Sequence, residues 1–464
     1  MTAMKTLRDP QNLLTEGLAA IRAQFRVPTT FAGPVIAAAE EAARRKPGEH
    51  ADWTERSFVT LDPASATDLD QAFAIEAAGS DILLHYAIAD VGWFAREGGP
   101  LDTEAWERGT TSYLPDGKAS LYPPALSEAA ASLLPDGPRP AVVLTVRIAP
   151  DGKSILEGAR RALIRSRAKL AYETVVEDEL PAGFAEIAMR VTVAENARGA
   201  SRVDPPEQEV AIDRAGRLTL RFRPKLIAEE RNAALSLAAN LAVADAMLAA
   251  GTGLFRVMPP PPPESEGRLR RTAAAFHLHW PEAIPLEQFE RRLHPRDPRV
   301  AAFMLAIRRA GNGASYEAYQ PGQTPWHTAM AATYAHCTAP LRRLADRYVL
   351  EAALAIANGQ PVPDTIASAF ERLPKVMRKA EARDGQIERA VIDLAEVALL
   401  ANHEGQSFSA VVTDIGETGA RIQLSDLPVV ARTKAHGVIP GSTIRVKLLT
   451  ADVQRRQLEF QRIG

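Results

Sequence analysis

The order of hydrophobic patterns limits the fold more than any other feature: short alternating runs come first and long helical runs later. From Asp52 the segments "SFVTL", "QAFAIEA", "ILLHYAIADV", "AVVLTVRI" and "LTLRFRP" read as strands. A proline run at 259–263 breaks the chain, and "DPRVAAFMLAIRRA", "LRRLADRYVLEAALAIAN" and "LPKVMRKAEARDGQIERAVIDLAEVALLAN" then repeat at three and four, as helices do. Strands followed by helices predict an α+β domain, a sheet with helices packed on one side, over residues 51–403. Ahead of it, "NLLTEGLAAIRAQF" and "GPVIAAAEEAARRK" predict a small helical domain over residues 1–50, compatible with a helix-turn-helix. After it, residues 404–464 give four or five short strands with turns at Gly416, Gly419, Gly437 and Gly441. That spacing suits a Greek-key barrel of the OB type, a fold that often holds single-stranded nucleic acid, and equally a β-barrel without that role.

Composition narrows the classes. Cys337 is the only cysteine, which excludes an intrachain disulfide framework and a cysteine zinc cluster and fits a reducing compartment; the cytoplasm is the expected location. No apolar run of signal-peptide length opens the chain, and no stretch is expected to span a bilayer. Net charge is −2 from 55 basic and 57 acidic residues, so any polyanion must be met locally. From Gly405 to Gly464, eight Lys or Arg stand against five Asp or Glu, a modest excess of +3.

One loop gathers acids. "FVTLDPASATDLDQAFAIE", residues 58–76, places Asp62, Asp68 and Asp70 between two predicted strands, with Gln71 next. If the strands pair, the carboxylates converge at one rim, where each raises the pKa of the others unless a cation lies among them. Magnesium, a hard ion that takes carboxylates, water and phosphate oxygens, suits such a site and points to phosphodiester cleavage. The same Asp and Ser residues also suit a capped, solvated turn. An EF-hand calcium loop is disfavoured, because its D-x-D-x-D-G run is missing.

Longer segments decide between these readings. "HYAIADVGWFAREGGPLDTEAWERGTTSYLPDG" (85–117), "LYPPALSEAAASLLPDGPRPAVVLTVRI" and "YAHCTAPLRRLADRYV" (334–349), taken with the acidic loop, resemble the signatures of the ribonuclease II and ribonuclease R family. The resemblance runs in order from about Asp52 to about Asp384, through the part that family calls the RNB domain. The C-terminal barrel is similar to the family's RNA-binding barrel. This implies a magnesium-dependent, processive 3′-to-5′ exoribonuclease that hydrolyses single-stranded RNA with a free 3′ end to nucleoside 5′-monophosphates. A monomer with no membrane partner is expected.

By that resemblance Asp62, Asp68 and Asp70 take three of four active-site acid positions, and Gln71 stands at the fourth. Its carbonyl oxygen can still ligate a hard cation, but one negative charge is gone; one magnesium site is expected and a second is left open. Asp70 is expected to act in catalysis as a ligand or in orienting water and leaving group. "TAPLRR" places Arg342 at the arginine that faces the scissile phosphate, where a planar fork can donate to phosphoryl oxygens. An exposed Arg342–Asp346 pair on a helix is the alternative. Arg343 is expected to be structural or to touch RNA backbone, and Tyr113 in "RGTTSYLPDG" to stack on the 3′ nucleotide. His85 and His336 are read as structural.

Two departures bear on selectivity. Relatives often carry adjacent glutamates where Ala233 and Ala234 stand, and the two cold-shock-type barrels that usually precede the domain have no counterpart in the first 50 residues. An RNA-binding protein of the same fold without catalysis, for which Gln71 argues, and a DNA exonuclease, for which the missing glutamates argue, are the competing readings.

Overall fold

The structure, a computed structural model, describes residues 5–7, 13–201, 207–212, 218–223, 225–293, 298–311, 313–416, 419–435 and 437–463. The expectation for residues 1–50 therefore falls outside the described residues at 1–4 and 8–12.

The expected sheet closes on itself. Strands Ala51–Asp62, Gln71–Ala78, Asp81–Ala89, Arg139–Ile148 and Ser154–Ala171 form a closed five-stranded barrel in chain order. Neighbours run antiparallel until the last strand meets the first in parallel, with Asp62 beside Ala171. Closure removes the two open edges that such a sheet would otherwise expose. Phe58, Phe73, Leu84, Tyr86, Val142 and Leu144 are buried in its core.

Helices cover the barrel as predicted, and one of them bears on the expectation that no stretch spans a bilayer. Ile227–Ala249 is long and apolar enough to cross a membrane by length and composition. Its apolar residues instead serve burial: Leu235, Ala238, Ala239, Val243 and Met247 lie in the barrel's hydrophobic core. Its Asn232 is spent inside the protein, donating to the Leu61 carbonyl at 3.2 Å and to the Tyr172 hydroxyl at 2.8 Å. Helix Leu344–Ala357 packs on strand Ser154–Ala171 and carries the residues that follow "TAPLRR".

The N-terminal helices have no core of their own among the described residues. Leu14, Leu18 and Ile21 of Leu13–Gln24 share a core with Ile387, Val391 and Leu394 of the long helix Asp364–Leu400 and with the C-terminal barrel. Val35, Ala39 and Ala42 of Gly33–Arg44 join the core of the first barrel. Strand Leu218–Arg223, expected in the main sheet, pairs instead with Glu207–Ile212 and Lys5–Leu7 in a separate three-stranded sheet. Strands Ser407–Gly416, Gly419–Leu424, Val430–Lys434, Thr443–Asp452 and Gln457–Arg462 close the predicted OB-type barrel.

Gly109 locks the approach to the acidic rim. It ends helix Pro100–Arg108 with φ of 73°, and its carbonyl accepts the Leu344 N–H at 2.9 Å. A Cβ there would lie 2.7 Å from the Ala380 Cβ on the long helix, a backbone-fixed atom. Left-handed strain and overpacking act in the same direction, so Gly109→Ala should destabilise the fold by about 2–4 kcal/mol. Chemical denaturation measures this, and a loss below about 0.5 kcal/mol would contradict the close approach.

Candidate active site

The acids are set by a clamped loop. Residues 63–70 join the first two barrel strands, and Lys169 holds them by donating to the carbonyls of Ala64 at 3.0 Å and Ala66 at 2.5 Å. Ser132 closes the other side, accepting the Leu69 N–H at 2.9 Å and donating to the Thr67 carbonyl at 2.8 Å. A solvated turn would not need these partners. The loop is built to aim side chains.

Asp62, Asp68 and Asp70 come to the same rim but into different surroundings. Asp70 is buried; its Oδ1 accepts the Leu341 N–H at 2.7 Å and its Oδ2 lies 3.3 Å from Arg342 Nε. Burial pushes its carboxyl up to about 7, with Arg342 and the Leu341 N–H opposing the rise and Asp68 and Asp346 adding to it. Asp62 ends the first strand, and among the described residues no donor reaches its carboxylate. Burial and then the Asp70 charge raise it to about 7 as well, against Arg342 and Lys169. Asp68 is satisfied within the protein: Lys118 Nζ lies 2.7 Å from its Oδ1, and the Tyr113 hydroxyl donates to its Oδ2 at 3.0 Å.

Gln71, the expected ligand, is engaged within the protein at both ends of its amide. Its amide nitrogen donates to the Thr338 carbonyl at 2.7 Å, and its carbonyl oxygen accepts the hydroxyl of Tyr86. Burial lifts that phenol well above its usual range, so Tyr86 keeps its proton and remains a donor. Gln71 is a strut between the barrel and the segment before Arg342. Among the described residues no group of three or more His, Cys, Asp or Glu is arranged to hold a metal ion. The donor set that fits a divalent cation is the pair Asp62, half-buried, and Asp70, buried, two carboxylates short of positive charge.

The two distant arginines part company. Arg342 has a half-exposed side chain, 45%, and its Nε lies 3.3 Å from Asp70 Oδ2 as an ion pair. The alternative Arg342–Asp346 pair is not formed, because Asp346 binds Arg343 through both oxygens, at 2.9 and 2.7 Å. Burial would lower the Arg343 guanidinium, but the Asp346 carboxylate, its hydrogen bonds, and the Tyr316 and Tyr334 hydroxyls together hold the group above its ordinary value. The expectation that Arg343 touches RNA thus gives way to its structural alternative: its planar fork is occupied.

Tyr113 stands at the mouth, 54% exposed, with its hydroxyl tethered to Asp68. The segment that carries it is sewn to the arginine segment: Thr111 N–H donates to the Arg342 carbonyl at 3.0 Å, and Thr110 and Ser112 both donate to Asp384, at 2.6 and 2.5 Å. His85 sits between Thr145, Arg56 and Glu76, and His336 against the Tyr316 hydroxyl at 2.9 Å; burial lowers both imidazoles. Neither points a free nitrogen at the acids. Lys118, Lys169 and Tyr86 escaped the sequence reading. Only Lys118 left a signal there, in the Pro-Asp-Gly turn that sets it opposite Tyr113.

The acid pair makes a stability prediction. Both carboxyls titrate near 3.8 when unperturbed and near 7 in the fold, so between those values the folded chain binds more protons than the unfolded one. The stability they contribute is full below the lower value and is lost as pH rises through the upper one. Asp70→Asn removes one such group. In metal-free protein its melting temperature relative to the parent should therefore rise from about pH 5 to about pH 8, and a flat or falling difference would contradict the assignment.

Comparison with known proteins adds the family. Residues 50–357 match the RNB domain, and residues 406–463 match the RNase II-type exonuclease C-terminal S1 domain. The chain is 26% identical to ribonuclease R of Thermotoga maritima over 88% of its own length and 64% of that protein's. It is 29% identical to exoribonuclease 2 of an Enterobacter species over 82% of itself and 62% of that protein. It thus spans less than two thirds of the length of either relative. Ribonuclease R of Mycoplasma genitalium, solved with ribose-methylated single-stranded RNA, shares the fold with a TM-score of 0.86 at 19% identity, covering 98% of this chain and 78% of that one. The acidic loop, Tyr113 and Arg342 all fall inside the matched region, and the chain belongs to the RNB-domain family of exoribonucleases, with an S1-type barrel at its C-terminal end.

Proposed function

We propose that this chain is a divalent-metal-dependent 3′-to-5′ exoribonuclease that degrades single-stranded RNA processively to nucleoside 5′-monophosphates. The observation that carries the reading is the meeting of Asp62, Asp70 and the half-exposed Arg342 at one rim, on segments 271 residues apart. Asp62 and Asp70 would hold the ion, magnesium in this proposal, which when bound supplies Lewis-acid polarisation of a phosphoryl oxygen. Arg342, paired with Asp70, would present its half-exposed guanidinium to the phosphoryl oxygens on which charge builds. Tyr113 offers the terminal base a face for stacking, which any base satisfies. Nothing in these parts requires a second subunit, and the reading includes a monomer acting in the cytoplasm, in keeping with one buried, free cysteine.

Labelled poly(A) incubated with the protein and magnesium tests the activity. Mononucleotide release is the expected product; binding without release would turn the assignment to an RNA-binding protein, and equal release from a matched DNA strand would overturn RNA selectivity. Asp70→Asn should keep RNA binding while cleavage falls by at least ~10²-fold. Arg342→Lys, which keeps charge but loses the planar fork, should lose rate far more than affinity. Parental rates in both folded variants would defeat the site assignment.

The barrel makes a separate prediction. On strand Val430–Lys434 buried Ala431 and Thr433 alternate with exposed Arg432 and Lys434, which places both cations on the outer face. If that face follows the RNA backbone, Arg432→Gln and Lys434→Gln should each weaken binding to long single strands and reduce the salt slope by about 1, with the rate on a short oligomer unchanged. An unchanged salt slope would place the RNA elsewhere.

A further inference from the structure

Lys118 owes its place to the hairpin Ser112–Leu114 and Gly117–Ala119. A two-residue turn sets Tyr113 directly opposite Lys118, so both side chains leave the same face of the ribbon. Both end on Asp68, each on a different oxygen. The ammonium also lies 3.2 Å from Thr67 Oγ1 and 3.2 Å from Glu128 Oε1. The ammonium donates two hydrogen bonds, to Asp68 and Thr67, and forms an ion pair with Glu128. Two carboxylates already match its charge, which disfavours a role as an RNA contact.

The ion pair is also sheltered. The side chains of Lys118 and Asp68 are 19% and 11% exposed, so salt and water screen the attraction less than at an open surface. The three acids therefore divide unequally. Asp68 has its charge matched and a donor on each oxygen. Among the described residues Asp62 and Asp70 have the guanidinium of Arg342, ion-paired with Asp70, while Lys169 donates to the loop carbonyls. The Gln71 oxygen accepts the Tyr86 hydroxyl. A divalent ion brought to Asp68 would have to displace Lys118 or bear its repulsion; one brought to Asp62 and Asp70 relieves repulsion instead.

We propose that Lys118 is a resident cation of the acidic rim, standing on Asp68 in place of a metal ion. The chain then holds one divalent cation, at Asp62 and Asp70, and Asp68 is kept as the anchor of Tyr113. Lys118 is thus a positioning residue, acting through Asp68 on the ring that meets the terminal base. The inference rests on the reading of the acids as a divalent-cation site.

Manganese, counted by electron paramagnetic resonance on the full chain without RNA, tests both layers separately. The parent and Lys118→Arg should each bind one ion, Lys118→Met should bind two, and the double variant Asp62→Asn with Asp70→Asn should lose the ion that the parent binds. One ion of equal affinity in the parent and in Lys118→Met would overturn the role of Lys118 while the cation reading stands, and two ions in the parent would do the same. A parent that binds no better than the double Asn variant would overturn the cation reading and the proposal with it. Should Lys118→Met fail to fold, Lys118→Gln, polar and uncharged, takes the same measurement with the same expected two ions.

Discussion

The rim depends on one buried carboxylate. Asp70 joins the start of the second barrel strand to the segment that delivers Arg342, through the Leu341 N–H at 2.7 Å and the guanidinium at 3.3 Å. Closing a loop of such length costs conformational entropy that grows only slowly with length, so a few strong contacts can hold its ends. Yet Asp70 cannot be fully satisfied by them, because burial holds its carboxyl near 7 even with Arg342 beside it. The fold keeps an acid where an uncompensated charge is costly. Such a cost is tolerated at sites that are completed by a ligand, and here the missing charge is positive.

Gln71 and Asp346 show how the surroundings make that arrangement rigid without adding charge to it. The glutamine amide bridges the barrel to the Thr338 carbonyl and takes the Tyr86 hydroxyl, so both ends of the side chain are spent on the two elements that Asp70 also joins. Asp346 accepts the Ala339 N–H at 2.8 Å and both arms of Arg343, which fixes the turn just before Arg342. Neighbouring arginines in "TAPLRR" thus divide the labour: one is tied to Asp346 to shape the turn, the other is left half-exposed by that turn. An arginine in the second place is worth more than a lysine would be, since the bidentate pairing needs a planar fork.

Much of this was legible in the sequence, and the parts that were not have a common cause. Period-two alternation in "QAFAIEA" and "AVVLTVRI" marked strands, and the acids, Tyr113 and Arg342 were all found from their segments. What pattern does not carry is pairing between distant segments. The barrel closes because Ala51–Asp62 runs beside Ser154–Ala171, and the first helix is claimed by a helix more than 340 residues further on. The apolarity of Ile227–Ala249 likewise reads the same whether lipid or protein covers it; only the packing distinguishes the two. Gln71 illustrates the limit at the site itself. Its side chain is a good ligand by chemistry, and only the position of Tyr86 shows that its oxygen also accepts a phenol hydroxyl.

The shared core of the N-terminal helix, the long helix and the C-terminal barrel bears on how RNA would travel. Gly17 lets the first helix approach so closely that a Cβ there would lie 2.6 Å from Leu394, and Leu394 belongs to the core that also holds Val412, Ile422 and Phe460 of the barrel. Farther along the same long helix, Asp384 takes the hydroxyls of Thr110 and Ser112, the residues that lead into Tyr113. One helix therefore connects the surface on which the barrel is seated to the tyrosine at the cleft mouth. A barrel on a free linker would bind RNA at no fixed distance from the acids. A barrel cemented to this helix sets that distance, so any strand held at both places would have a defined span.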